Sequence, residues 1–217
     1  DGRMTLAEFH DVYLPDLAEA SDRYQDEIRL WKGLEIEYIQ GQADYYRMLL
    51  SHLDYLVLGI HYYFKEGNHF NCYDGISSRD IGGYADVVEA ALSTGFFKVL
   101  VHPDLYLFNY RGEDDRAFAF DKHAEAVARR IFESAIRHDV FVEINARGIQ
   151  FHTRTHEGKT IHRYPREAFW RIAKDYPKLK IIISADAHDP NELSGDHMDQ
   201  ARVFAETLDL NIIEHIF

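Results

Sequence analysis

Short apolar runs alternate along this chain with longer amphipathic stretches. The short runs are rich in Val, Ile, Leu and aromatic residues, and several are apolar at nearly every position, as in strands covered on both faces. Six of them predict strands, at residues 34–39, 55–60, 97–101, 140–145, 179–184 and, more weakly, 210–213. The clearest helical pattern, apolar residues three and four apart, runs from Ala119 to His138. Strands that alternate with helices predict an α/β fold with a mainly parallel sheet.

Capping residues and prolines mark the helix boundaries. Thr5 and Glu8 have the spacing of a capping box, and Pro15 is expected to break the helix that they begin. Further helices are predicted at residues 42–52, from Ser78 to Gly95, from Pro165 as first residue, and after an Asp189-Pro190 cap. The polar and aromatic stretches at 64–79 and 154–165 are predicted to be long loops.

Composition narrows the class of protein. The 217 residues are 46% hydrophobic, which suits one domain over residues 1–217. The net charge of −13 disfavours nucleic-acid binding as the main function. The single cysteine, Cys72, excludes an intrachain disulfide and a Cys-rich zinc site, and makes a cytoplasmic location the expectation. No apolar run reaches the ~18 residues of a membrane span, so no membrane partner is expected.

Metal-binding residue types fall in or just after the predicted strands. They are Glu35, His61, His102, Glu143, Asn145, Asp186 and His188. Each alone has an ordinary interpretation, such as a turn histidine, a helix cap or a surface ion pair. In a parallel α/β barrel, however, the carboxyl ends of the strands converge on one face, and residues i and i+2 of an extended segment point the same way. Nitrogen and carboxylate ligands without sulfur suit zinc, manganese or iron(II).

These motifs carry a resemblance to a known family. "GLEIEY", "VLGIHYY", "VLVHPDLY", "EINARGI" and "ISADAHDP", in this order, resemble the polymerase-and-histidinol-phosphatase (PHP) superfamily, and "HRYPREAFWRIAKD" resembles its monofunctional histidinol-phosphatase branch. The resemblance implies a distorted (β/α)7 TIM-like barrel that holds two or three divalent metal ions and hydrolyses phosphate monoesters.

The resemblance also assigns residues. It implies that Glu35, His61, His102, Asp186 and His188 are metal ligands, and that Glu143 and Asn145 shape the pocket behind them. Glu37 matches a family position of no fixed role. The family's opening His-x-His strand and a further histidine have no counterpart here, so we expect the chain to lack the N-terminal strands and ligands of its parent.

The expected substrate is a small phosphate ester, with L-histidinol phosphate as the first choice. Water held between two metal ions would lose a proton near neutral pH and attack the phosphorus in line. Arg163 is the first choice for binding the phosphate and Arg111 the second. Two alternatives remain open at this point: a phosphoesterase of the same superfamily that acts on another ester, and a non-catalytic metal-binding relative.

Overall fold

A five-stranded parallel sheet forms the centre of the protein. The computed structural model describes residues 4–156 and 158–217. The sheet consists of β1 (Gly33–Ile36), β2 (Tyr55–Leu58), β5 (Phe97–Leu100), β6 (Phe141–Asn145) and β9 (Lys180–Ser184), in that order. Each strand is therefore parallel to the next one along the chain that belongs to the sheet, the order of a β/α barrel. The predicted α/β fold with a parallel sheet is confirmed.

Helices lie between these strands. After an N-terminal helical segment come α3 (Ala43–Leu50), α4 (Gly82–Ser93), α5 (Lys122–Arg137), α6 (Ala146–Phe151), α7 (Glu167–Ile172) and α8 (Asp196–Thr207). Short 3-10 turns occupy Leu105–Leu107, Ala173–Asp175 and Pro190–Glu192. The Asp121 side chain caps α5 by accepting hydrogen bonds from the N–H groups of His123 and Ala124. Asp189 caps the turn at Pro190 as predicted, whereas α7 begins at Glu167 rather than at Pro165.

The two faces of the sheet are covered differently. One face contributes Leu56, Leu58 and Ile144 to the main core, which also contains the buried faces of α4 and α5. On the other face, a smaller cluster of Val99, Val101 and Phe141 packs against Val57, Ile182, Ile213 and Ile216. The C-terminal segment thus covers part of the sheet. Burying a side chain of this size contributes about 1.5–3 kcal/mol.

The sixth predicted strand is present only as a single bridge. Ile212 forms a parallel bridge with Ile181 of β9, and the N–H of Ile213 donates to the Ile181 carbonyl at 2.8 Å. The predicted strand at residues 210–213 is therefore reduced to one bridge and does not form a ladder of paired residues. Within the described residues, β1 pairs with β2 alone, so these strands form an open sheet.

The N-terminal helical segment departs from the prediction. Thr5 and Glu8 form the expected capping box at α1 (Leu6–Glu8). Pro15 does not end the helix, because it lies in the first turn of α2 (Leu14–Arg23), directly after a π-helical stretch at Phe9–Tyr13. Proline lacks an N–H, and a first-turn position does not require that donor.

Both predicted loops contain β-hairpins. Residues 64–79 include parts of the hairpin β3 (Tyr62–Lys65) and β4 (Asn68–Asn71), and residues 154–165 include parts of β7 (Thr153–His156) and β8 (Lys159–His162). The first hairpin follows β2 and contributes Tyr62 to the cavity of the predicted site, whereas the second follows α6. None of the helices in the described parts of the chain is both long enough and apolar enough to cross a bilayer.

Candidate metal centre

Three of the five predicted metal ligands form one compact group. Glu35 lies in β1, His61 follows β2, and His102 follows β5. One ligand atom from each lies within 4.8 Å of the others. Glu35 Oε1 is 3.3 Å from His102 Nε2 and 3.7 Å from His61 Nε2. One carboxylate oxygen and two imidazole nitrogens are a donor set that fits zinc, manganese or iron(II).

Gly59 leaves the space that the Glu35 carboxylate occupies. A Cβ at this glycine would lie 2.0 Å from Glu35 Oε1 and 3.1 Å from Cε1 of His61. Any other residue here would displace the carboxylate from the group. The glycine of "VLGIHYY" therefore allows the Glu35 carboxylate to approach His61 and His102, because it has no side chain.

The charges of the group stabilise one another. Burial disfavours the charged form of Glu35, but the hydrogen bond with His102 and the nearby His61 and His188 lower its pKa overall. Burial likewise opposes protonation of His102, yet Glu35 outweighs it and raises the pKa of this histidine. Glu35 thus remains a carboxylate, the form that binds a metal ion.

A buried polar network lies behind the group. Glu143 is 1% exposed and accepts hydrogen bonds from the backbone N–H of His102 at 2.8 Å, from Nδ2 of Asn145 at 3.0 Å, and from the Ser184 hydroxyl. The Nδ2 of Asn145 also donates to Oδ2 of Asp186 at 3.0 Å. Burial raises the pKa of Glu143 to about 7. The register that pairs Asn145 with Ser184 brings these side chains together.

Asp186 and His188 line the same cavity but lie outside the compact group. Asp186 is largely buried and has a φ of +49°, a left-handed conformation that aspartate tolerates better than most residues. The His188 side chain is 65% exposed, and its Nδ1 is 2.9 Å from the Asp186 carbonyl oxygen. The predicted Asp-x-His pair therefore reaches the site, with the aspartate inside it and the histidine at its edge.

Glu37, which had no role in the sequence analysis, contacts one of the three grouped residues. Its Oε1 lies 2.7 Å from Nδ1 of His61 and accepts the backbone N–H of the same residue at 3.1 Å. The signal was present in the sequence, because Glu35 and Glu37 are two positions apart along one extended segment and so point the same way.

The cavity that contains the group has a volume of about 980 Å³. Its described lining includes Arg147 and His152, which sequence reasoning missed. Arg147 comes two residues after Asn145, at the end of β6, a position typical of functional residues in this kind of fold. Its guanidinium pairs with Glu192, whose carboxylate also accepts the N–H of His188 at 2.9 Å. Burial, Arg147 and Arg163 lower the pKa of His152.

Aromatic rings continue from the group along one wall of the cavity. Tyr73 stacks on His61 with ring centroids 6.0 Å apart, and Tyr164 lies 6.0 Å from His102. His152 stacks on Tyr164 at 5.1 Å. This wall can receive the organic part of a ligand whose charged part is at the metal group.

The two arginines predicted to bind phosphate are not among the described residues that line this cavity. Arg163 lies behind Phe108, which in turn contacts the cavity-lining Tyr73. Its guanidinium is 4.4 Å from the Phe108 ring and donates to the Asn109 side chain. Arg111 lines a separate cavity of about 650 Å³ together with Arg79 and Arg154, and pairs with Asp115 at 3.1 Å. Of the lysines and arginines in the described residues, Arg147 is the one that lines the cavity of the metal group.

Comparison with known proteins identifies the fold. No family model matches the chain, and no curated protein matches it. Among solved structures, the chain is similar to a histidinol phosphate phosphatase (HisK) from Lactococcus lactis subsp. lactis Il1403 in complex with Zn, L-histidinol and phosphate. The TM-score is 0.66 at 15% identity, over 98% of this chain and 78% of that one.

Two further solved structures are similar. HisK from Listeria monocytogenes has a TM-score of 0.64 at 16% identity, over 90% of this chain and 77% of that one. A chain in the structure of archaeal ribonuclease P with mature tRNA has a TM-score of 0.54 at 16% identity, over 97% and 71%. Identities this low establish the fold alone. The chain therefore shares the distorted α/β barrel fold of the HisK proteins, as the sequence motifs predicted, and its described strands form an open part of that barrel.

Proposed function

We propose that this protein is a metal-dependent phosphate monoester hydrolase, with L-histidinol phosphate as the favoured substrate. The observation that carries the proposal is the compact group of Glu35, His61 and His102 in a cavity that also contains Arg147. The L. lactis neighbour, whose complex contains zinc, histidinol and phosphate, supports it by fold. Asp186 and His188 are proposed as further ligands from the edge of the same cavity.

The charge of the cavity supports the use of a metal. Its described lining contains the carboxylates of Glu35, Glu37 and Asp186 but, of lysines and arginines, Arg147 alone. A phosphate dianion would be repelled by this lining unless divalent cations were bound to it. A bound divalent ion would supply Lewis-acid stabilisation of the phosphoryl oxygens and lower the pKa of a coordinated water.

Other residues in and around the cavity would bind the phosphate and hold the metal ligands in position. Arg147 would bind phosphate oxygens with charge-assisted hydrogen bonds, in place of its present bond to Glu192. Glu143 and Asn145 would hold the His102 backbone and the Asp186 carboxylate in position. Arg163 is proposed to support the wall through Phe108 and to add positive potential near the cavity mouth.

His152 and the tyrosines would contact the organic part of the substrate. Because its pKa is lowered, the His152 ring is neutral at neutral pH and can donate one hydrogen bond and accept another. Tyr73 and Tyr164 offer ring faces on the same side. A small alcohol with a planar group fits these contacts, as in histidinol phosphate.

Measuring turnover on a panel of phosphate esters tests the proposal. The protein, loaded in turn with Zn²⁺, Mn²⁺ and Fe²⁺, should show its highest kcat/KM with L-histidinol phosphate, and Glu35→Gln should abolish activity. A clear preference for another ester would favour a different phosphoesterase. Stoichiometric metal without turnover of any ester would favour a non-catalytic metal-binding protein and refute the proposal.

A further inference from the structure

The carboxylate of Glu37 holds His61 at two points. Oε1 lies 2.7 Å from the ring Nδ1, while Oε1 and Oε2 lie 3.1 and 3.3 Å from the backbone nitrogen of the same residue. The ring and its own backbone are thus bound by one carboxylate, which restricts both the position and the rotation of the imidazole. The Glu37 and His61 side chains are only 31% and 27% exposed, so water competes little for these bonds.

This contact determines which ring nitrogen carries the proton. A carboxylate accepts hydrogen bonds and donates none, so the His61 Nδ1 must be the protonated nitrogen. The lone pair of a neutral His61 ring is then on Nε2, the atom that faces Glu35 Oε1 at 3.7 Å. A histidine that donates its other ring N–H to a carboxylate is also a more basic metal ligand.

The backbone that carries Glu37 is itself fixed. The Tyr46 hydroxyl donates to the Glu37 carbonyl oxygen at 3.0 Å and accepts the N–H of Ile39 at 2.7 Å. Tyr46 belongs to α3 and is 1% exposed. The carboxylate therefore extends from a segment anchored to the core, and its side chain can be removed without breaking those bonds.

His102 has no comparable partner among the described residues. Its Nδ1 is buried without a hydrogen bond, and the residue is held through its backbone N–H to Glu143, through Nε2 to Glu35 at 3.3 Å and by the nearby Tyr164 ring. The two histidines of one site are therefore oriented by different means. This difference provides an internal control, because Glu37 contacts His61, so that its removal should change the His61 tautomer and leave the His102 tautomer the same.

We propose that Glu37 is a positioning residue that fixes the tautomer and orientation of His61, so that Nε2 is presented as a metal ligand. The inference deepens the proposed function, since it rests on the metal site but not on the identity of the substrate. It gives the second acid of the "GLEIEY" motif a task distinct from that of Glu35.

Nitrogen-15 NMR of the histidine rings tests this assignment directly. In the metal-free wild-type protein, at a pH at which His61 is neutral, its Nδ1 should give the signal of a protonated nitrogen and its Nε2 that of an unprotonated one. In Glu37→Ala the His61 ring should lose this preference, while the His102 signals stay the same. Zn²⁺ affinity, measured by calorimetry, should fall about 10–100-fold.

Glu214→Ala is the matched control, because it removes an exposed carboxylate that pairs with Arg202. Its His61 signals and Zn²⁺ affinity should equal those of the wild type. The proposal is overturned if wild-type His61 carries its proton on Nε2, or if Glu37→Ala leaves both the tautomer and the Zn²⁺ affinity unchanged. A protein that hydrolyses no phosphate ester would refute the proposed function while leaving these measurements intact.

Discussion

Replacing Gly59 by alanine should disable the metal group without destabilising the fold. The added Cβ would lie 2.0 Å from Glu35 Oε1, whereas ordinary contacts begin at 3.4 Å. The nearest obstacle is thus the end of a flexible side chain rather than backbone. We expect the Glu35 carboxylate to move aside by roughly 1.4 Å or more, since the Cβ cannot.

The size of the effect follows from that displacement. A 1 Å error in the placement of a catalytic group costs up to about 100-fold in rate, and loss of metal positioning costs about 10–100-fold in affinity. The free energy of unfolding, by contrast, should increase slightly or stay the same. Gly59 does not adopt a left-handed φ, and at compatible positions a Gly-to-Ala change stabilises a protein by about 0.4–1 kcal/mol through the unfolded state.

Two measurements separate these effects. Urea unfolding gives the free energy of unfolding, and calorimetric titration with Zn²⁺ gives the metal affinity. Gly82→Ala serves as the control, because a Cβ there meets nothing within 4 Å at the start of α4. If Gly59→Ala binds Zn²⁺ as tightly as the wild type, the assignment of Glu35 to the metal group is wrong. Destabilisation by several kcal/mol would show instead that the glycine is needed for folding.

Other predictions test the site and the core. Arg147→Ala should lower kcat/KM for phosphate esters about 10–100-fold, chiefly through KM, and leave Zn²⁺ affinity unchanged, because a hydrogen bond to a charged group contributes about 1.5–3 kcal/mol; an unchanged KM would exclude Arg147 from phosphate binding. Asp121→Ala should cost about 1–2 kcal/mol in urea unfolding at pH 7, from the lost cap of α5. Burial opposes ionisation of Asp121, but hydrogen bonds from Ala124 and Tyr110 lower its pKa, so this stabilisation is present above the ordinary pKa of 3.8 and disappears as the pH falls through the lower pKa of the folded state. A cost that persists at pH 2 would contradict this. Phe132→Ala should cost about 3–5 kcal/mol, since the ring is fully buried against Phe169; a thermal or urea midpoint equal to that of wild type would refute it.

The parallel sheet could be predicted because its strands leave a strong local signal. The short apolar run that includes Val140, Val142 and Ile144 is of the kind seen in strands covered on both faces, and the strand it predicts, Phe141–Asn145, is buried at every position. Once the strands were assigned, the geometry of parallel strands predicted that His61 and His102 would meet at one face, and the resemblance to the PHP superfamily added Glu35. That step required no knowledge of the loops.

The hairpins and the arginine that lines the cavity could not be predicted in the same way. The turn at Glu66 and Gly67 has positive φ at both residues, which usually requires Asn-Gly or Asp-Gly, and glutamate at the first position conceals it. Arg147 and Arg163 both lie within two residues of the end of a strand, and only packing decides which of them reaches the cavity. Long flexible side chains of this kind are the least determined by local pattern.

The fold does not by itself specify the chemistry, since HisK proteins and a chain of an archaeal ribonuclease P structure share it. The proposed phosphatase activity depends on the charged residues that line the cavity. The described lining of the cavity contains more carboxylates than lysines and arginines, yet the proposed substrate is an anion, which would meet one arginine and a wall of rings there. Bound divalent cations would reconcile the negative lining with the proposed anionic substrate, because they would convert a negative cavity into one that attracts phosphate. The acidic composition that argues against nucleic acid is thus compatible with an anionic substrate, provided that Glu35, His61 and His102 are occupied by metal.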